Sequence, residues 1–356
     1  LETSRGKIER EKYKQVTKML IFSRQQGAAQ DDDVQAAANI LKEGGVVAFP
    51  TETVYGLGAR YDCEAAIKKI FAAKGRPSDN PLIVHISHPR ELARVAPEFS
   101  PIEEKLMMTF WPGPLTLVLN KHEAISPLVT AGRDTVGVRM PSHPLALKLI
   151  AATGVPLVAP SANISGRPSP TTALHVLQDL TGRIDALLDG GETTVGLEST
   201  VVRVFLDRIV LLRPGSVTRT MLEEVTKLPV ALTTETEGVP EAPGMKYVHY
   251  APEAKIILYL DARQGGMVIT LDGEVSTAVI AYADTLEGLP AKAHKFTLGE
   301  RGSVDLAARK LYAYLREADS LGVERILVEG IESTGLGEAV MNRLYKAAFR
   351  VIGGQV

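Results

Sequence analysis

From residue 31 onward, short apolar runs alternate with stretches whose apolar residues recur at helical spacing, and that alternation restricts the chain to α/β architectures. Acidic Asp31, Asp32 and Asp33 open a helix running to Leu41, Gly44 and Gly45 end it, and VVAFPT follows as a strand. The same grammar predicts a helix capped by Asp62 and running to Lys74, a strand at PLIVHI, and a helix over 101–110. Strands at LTLVL and TVGVRM, a helix over 144–152, a strand at PLVAP, a helix near 172–180, and strands at STVVRVF and RIVLLRP complete this part. The stretch TTETEGVPEAPGMKYVHYAP (233–252) has no period and several turn formers, so it reads as a linker. Beyond it KIILYL, MVITL, TAVIAYA and RILVEG are near-continuous apolar runs, with helices over 304–320 and 337–348; such runs suit parallel strands buried on both faces. The expected division is a leader at 1–18, a first domain at 19–232, a linker at 233–253 and a second domain at 254–356.

With 40 Lys and Arg against 42 Asp and Glu, the formal charge is −2, so any affinity for anions or nucleic acid has to come from a local patch. Hydrophobic residues at 45% and charged residues at 23% exclude a disordered chain. A single cysteine, Cys63, leaves no intrachain disulfide and no Cys-x-x-Cys metal site, and fits a reducing compartment, so a cytoplasmic location is expected. No apolar run approaches the roughly 18 residues of a spanning helix, and no membrane role is expected.

Four stretches crowd cationic, hydroxyl and amide groups beside core-like segments: PTETVYGLG (50–58), KGRPSDNPL (74–82), DTVGVRMP (134–141) and SANISGRPSPT (161–171). Lys74 ends the helical face formed by Ile67, Ile70 and Phe71, where a core-facing lysine needs an anionic partner; the alternative is a lysine at a helix C-terminus capped by Gly75. In PLIVHI, His85 shares a face with Ile83 and reads by itself as a core histidine. In TVGVRM, Thr135, Gly137 and Arg139 share a face, with Gly137 leaving a gap for a ligand and the Arg139 fork suited to a carboxylate or phosphate. SANISGRPSPT supplies Ser161, Asn163, Ser165, Ser169 and Thr171 on a turn-rich loop ahead of a helix N-terminus. There is no Walker P-loop, no His-Glu-x-x-His and no Gly-x-Ser-x-Gly. STGLGEAV reads as a turn and cap, since Val340 stands at the third glycine position of a dinucleotide fingerprint.

Together with FWPGPLTLVL, GLESTVV, LLRPG and APGMKYVHYAP, these stretches resemble the YrdC-like threonylcarbamoyl-adenylate synthases in their long form, from about Met19 onward. The second domain resembles that form mainly through GLGEAVMNRLYKAA. The resemblance implies a twisted mixed sheet with helices around a concave basic pocket, followed by a smaller Rossmann-like parallel α/β domain. It implies condensation of threonine, bicarbonate and ATP into threonylcarbamoyl-AMP, with pyrophosphate released, for threonylcarbamoyladenosine modification of tRNA. Threonine would contact Thr53, His85, Arg139, Ala159 and Ser199; ATP would contact Arg76, Asn80, Thr135, Ser161, Ser169, Arg213 and Met245. Lys74, Arg76 and Asn163 would surround the reacting phosphate, and Mg²⁺ would arrive on ATP without protein side-chain ligands. The expected partners are the substrates and a downstream tRNA-modifying transferase complex, with direct tRNA contact possible, and 243–252 is expected to fold over the pocket as a lid. Two other readings stay open: an RNA-binding module that uses the same basic concavity without chemistry, and a hydrogenase-maturation carbamoyl transferase, whose cysteine-rich zinc segment this chain lacks.

Overall fold

The computed structural model describes residues 19–22, 31–232, 250–260, 275–289 and 293–353. The expected leader, the MVITL strand, Met245 and most of the expected linker and lid lie outside them. Sixteen strands form two sheets among the described residues. The first sheet contains β1 (Leu20–Phe22), β2 (Val47–Phe49), β3 (Gly56–Arg60), β4 (Ile83–His85), β5 (Leu115–Asn120), β6 (Thr135–Arg139), β7 (Leu157–Val158), β8 (Ala186–Leu188), β9 (Thr200–Val204), β10 (Ile209–Arg213) and β11 (Val230–Leu232). Their order, β1-β8-β2-β3-β7-β4-β6-β5-β9-β10-β11, mixes parallel and antiparallel pairs. The second sheet, from β12 (Lys255–Tyr259), β13 (Thr277–Ala281), β14 (His294–Thr297), β15 (Arg325–Glu329) and β16 (Arg350–Ile352), is parallel throughout, in the order β14-β13-β15-β12-β16. The chain is thus the α/β protein that its alternating pattern predicts.

Helices cover both faces of the first sheet. On one face Asp31–Lys42 and Pro144–Thr153 bury Val34, Leu41, Leu145 and Leu149 against Phe49, Leu157 and Leu188. On the other, Ile67 and Ile70 of the helix Glu64–Lys74 join Leu57, Val84, Val136 and Val138. Helix boundaries follow local chemistry: Ser100 and Glu103 form a reciprocal capping box with Pro101 at the first turn of Pro101–Phe110. One predicted cap is corrected. Cys63, not Asp62, is the N-cap of Glu64–Lys74, and the Asp62 carboxylate is engaged at 2.8 Å by Arg60 instead.

The second domain packs its helices Val304–Ser320 and Leu336–Ala347 against the first domain, and their apolar cluster takes in Val54 and Leu197. Gly196 makes the approach possible: a Cβ there would lie 2.5 Å from the Arg309 Cα, and its φ of +83° favours glycine. Among the described residues no helix is long and apolar enough to cross a membrane.

Candidate active site

β4 lies between β6 and β7, with His85 opposite Arg139 in one register and Val84 opposite Val158 in the other. That register sets Arg139 beside His85 and Ala159 beside Ile83, and all four border one cleft beside the turn that follows β2. His85, Arg139 and Ala159 line this cleft together with Thr53, Lys74, Arg76, Ser161, Asn163, Ser169, Ser199 and Arg213. Those eleven are residues singled out from sequence, and the fold brings them to one place. Two more do not line the cleft. Thr135 begins β6 while Arg139 ends it, so sharing a face leaves them four residues of strand apart. Gly137 between them leaves no ligand gap: a Cβ there would meet Thr116 and Ile83 side chains at 3.3 and 3.4 Å. Asn80 is buried and works through its main chain, its carbonyl receiving Arg76 at 3.2 Å.

At the Arg139 corner the donors and acceptors can be assigned from their partners. The guanidinium donates from Nε to the Gly113 carbonyl at 3.3 Å and from Nη1 to the Thr53 hydroxyl at 2.9 Å, and its Nη2 touches Glu52 Oε1 at 2.7 Å. Thr51 gives its hydroxyl proton to the Val54 carbonyl at 2.6 Å, so in the 2.8 Å contact between Thr51 and Thr53 it is Thr53 that donates. A hydroxyl has one donor and two lone pairs, so Thr53 keeps one acceptor position for a ligand. His85 meets the Ile83 carbonyl through Nδ1 at 3.1 Å. A carbonyl only accepts, which puts the proton on Nδ1 and leaves Nε2 as an acceptor. Burial and then the neighbouring Arg139 push His85 down to about 3, so the ring is neutral at physiological pH. One fixed double donor and two fixed acceptors is the complement of an amino-acid zwitterion.

The opposite wall is cationic. Lys74, 1% exposed, donates to the Ser161 and Asn163 carbonyls at 2.6 Å each and to Asn163 Oδ1 at 3.4 Å. Its nearest partners are thus neutral carbonyl oxygens and not the anion that the sequence pattern called for; burial, then Arg76, holds the ammonium well below its usual range. Gly75 at φ +60° ends the helix behind it, as the alternative reading had it. Asn163 donates to the Ile164 and Arg167 carbonyls, both at 2.8 Å, so the loop 161–169 is tied both to itself and to Lys74. Arg76 is lowered to about 10, chiefly by burial, and its Nη2 reaches the Pro81 carbonyl at 2.9 Å. Arg213 donates to the Ser199 carbonyl at 3.0 Å and to its hydroxyl at 3.1 Å.

Sequence reasoning missed the acidic side chains and their partners. Glu198, in the cleft wall, accepts from Ser169, from Tyr312 at 3.0 Å and from Arg343 Nε at 3.0 Å; the last two belong to the second domain. Burial pushes this carboxyl up, but Arg343 and Arg213 outweigh it and hold Glu198 below its usual range. Arg343 also donates to the Pro214 carbonyl at 2.6 Å, next to Arg213. Arg316 grips Asp179 at 2.7 Å, and Asp179 in turn accepts from the Ile164 amide of the loop 161–169. Tyr250 also lines the cleft, at φ +67° and stacked on Tyr312 with ring centroids 5.6 Å apart. Nothing in local sequence pairs Glu198 with a residue 145 positions away.

Residues 39–215 match a family model (Sua5, YciO and YrdC) described as Telomere recombination, and residues 217–349 match one described as Threonylcarbamoyl-AMP synthase, C-terminal domain. The chain is 45% identical over 329 residues to a threonylcarbamoyl-AMP synthase of Pyrococcus abyssi, covering 90% of this chain and 95% of that one. It is 46% identical over 344 residues to the enzyme of the same name from Bacillus subtilis, covering 92% and 94%. The crystal structure of P. abyssi Sua5 complexed with L-threonine superposes with a TM-score of 0.85 at 43% identity, covering 95% of this chain and 99% of that one.

Proposed function

Because this chain belongs to the threonylcarbamoyl-AMP synthase family, we propose that the Arg139 corner of its cleft takes L-threonine and the cationic wall takes ATP. The enzyme is a nucleotidyltransferase that condenses L-threonine, bicarbonate and ATP into L-threonylcarbamoyl-AMP and releases pyrophosphate. The observation that carries the placement is the fixed polarity of the corner: Arg139 can only donate, while Thr53 and the His85 Nε2 are left only to accept. A threonine carboxylate fits the first, and its ammonium or hydroxyl fits the second.

The threonine amine, once deprotonated, and bicarbonate give a carbamate and water; the carbamate oxygen then bonds to the α-phosphorus as the bond to the bridging oxygen breaks and pyrophosphate leaves. Both reactants are anions, so the demand on the protein is to bring them together and to stabilise charge on the phosphates. Arg76, Arg213 and Lys74 supply three cationic side chains there, and no side-chain nucleophile is needed. Magnesium enters as part of the nucleotide substrate. We assign its ligands to phosphate oxygens and water, because Mg²⁺ dehydrates reluctantly and travels on the nucleotide; Glu198 in the cleft wall accepts from Ser169, Tyr312 and Arg343. The product is a reactive mixed anhydride, which we assign to a transferase acting on tRNA, in the cytoplasm.

The test is pyrophosphate release from Mg·ATP and bicarbonate with threonine, serine, glycine or no amino acid. Threonine-dependent release with a threonylcarbamoyl-AMP mass is the expected result. ATP-independent, salt-sensitive RNA binding with no release under any condition would overturn it in favour of an RNA-binding concavity.

A further inference from the structure

We propose that Glu52 is the positioning residue that makes the Arg139 corner select a zwitterion over a simple anion. This rests on the placement of threonine given above. Glu52 is 6% exposed and stands behind Arg139, outside the cleft lining, while its neighbours Thr51 and Thr53 line the cleft. Its Oε1 lies 2.7 Å from Arg139 Nη2 as an ion pair, which occupies one side of a guanidinium that has five N–H groups and so leaves hydrogens for a ligand. Its Oε2 accepts from the Ser142 amide at 3.1 Å, and its carbonyl from the Val195 amide at 2.8 Å, which fixes the carboxylate in place.

With Arg139 positive, Glu52 negative and His85 neutral, the empty corner is electrically balanced. A zwitterion preserves that balance: its carboxylate meets Arg139 and its ammonium meets the acceptors on Thr53 and His85. A bare anion does neither. It adds an uncompensated charge to a buried site that already holds a carboxylate, where solvent screens little, and even with a hydroxyl it leaves at least one acceptor without a donor. The distinction matters here because the adjoining wall is cationic and holds phosphates; an unaccompanied Arg139 would be one more site for phosphate or pyrophosphate. Glu52 thereby keeps the amino-acid corner from filling with the other substrate's anionic groups.

The experiment measures the KM for L-threonine and the Ki of 3-hydroxybutanoate, which is threonine without its amine, by pyrophosphate release from the full chain. Glu52→Gln removes the charge and retains an acceptor for the Ser142 amide. Its ratio of 3-hydroxybutanoate Ki to threonine KM is expected to fall about tenfold or more from wild type, with the KM for ATP little changed, and Glu52→Asp to recover part of the ratio. A folded Glu52→Gln enzyme with an unchanged ratio overturns the proposal. So does a wild-type enzyme that binds 3-hydroxybutanoate as tightly as threonine, a comparison that needs no variant. Arg139→Gln separates the two layers. If it loses threonine while Glu52→Gln leaves the ratio unchanged, only the selectivity role fails; if Arg139→Gln binds threonine normally, the placement of threonine itself fails.

Discussion

His85 sits where burial and the Arg139 guanidinium both oppose its protonation, and the consequence extends beyond the site. Its value of about 3 lies below the ordinary 6.5, so between those limits the unfolded chain binds a proton that the folded chain refuses. The stability this histidine permits is full above pH 6.5 and is lost as pH falls towards 3, at up to about 1.4 kcal/mol per pH unit. Urea midpoints of wild type and His85→Gln, taken between pH 7 and 4, should diverge, with wild type falling faster. Parallel curves would mean that the ring protonates in place. Strand alternation made Arg139 legible as a ligand-facing residue but read His85, beside Ile83, as a core histidine; its place in the site came from the family resemblance. What alternation cannot tell is which end of a strand reaches the cleft: Arg139 lines it, whereas Thr135, at the other end of β6, does not. Nor can it tell whether a buried cation faces an anion or carbonyl oxygens, as Lys74 does.

The loop 161–169 shows how an irregular element is given one shape. Its carbonyls at Ser161 and Asn163 converge on Lys74, its Ile164 amide on Asp179, and the Asn163 amide group spans its middle. Lys74 is therefore a structural member of the loop as well as a charge in the cleft. Lys74→Met should leave the buried Asn163 carbonyl without a donor, at about 1–3 kcal/mol, while the Ser161 carbonyl keeps the Asn163 amide, and so lower the melting temperature as well as weaken ATP binding. An unaltered melting temperature with weakened ATP binding would show that the lysine serves the nucleotide alone. At this scale the sequence was most readable where residues report on backbone ends, as with the helix bounds 101–110 and the stop at Gly75. It was least readable in the short strands β1, β3 and β8, which contain three to five residues and depend on their neighbours for their existence.

The two domains meet over the site and not beside it. The break in periodicity after residue 232 marks where one sheet ends and the other begins, but it carries no information about the seam, whose contacts join residues more than a hundred positions apart. At that seam Arg316 braces the loop 161–169 through Asp179, and Arg343 neutralises Glu198 while holding the Pro214 carbonyl. A carboxylate in the wall of a pocket for phosphates would repel them if it were unpaired, so the second domain's arginine helps make the first domain's cleft fit for a nucleotide. Arg343 is 1% exposed, which makes the pair a buried one. Breaking such a pair from one side strands the other charge and costs about 3–5 kcal/mol, whereas removing both charges costs far less. Arg343→Met should accordingly destabilise the protein strongly and raise the KM for ATP, while Arg343→Met with Glu198→Gln should recover part of both, because the glutamine still accepts from Ser169. A double variant no better than the single in either urea unfolding or ATP kinetics would show that Arg343 acts through its contact with Pro214, and that the charge on Glu198 does not matter to the nucleotide.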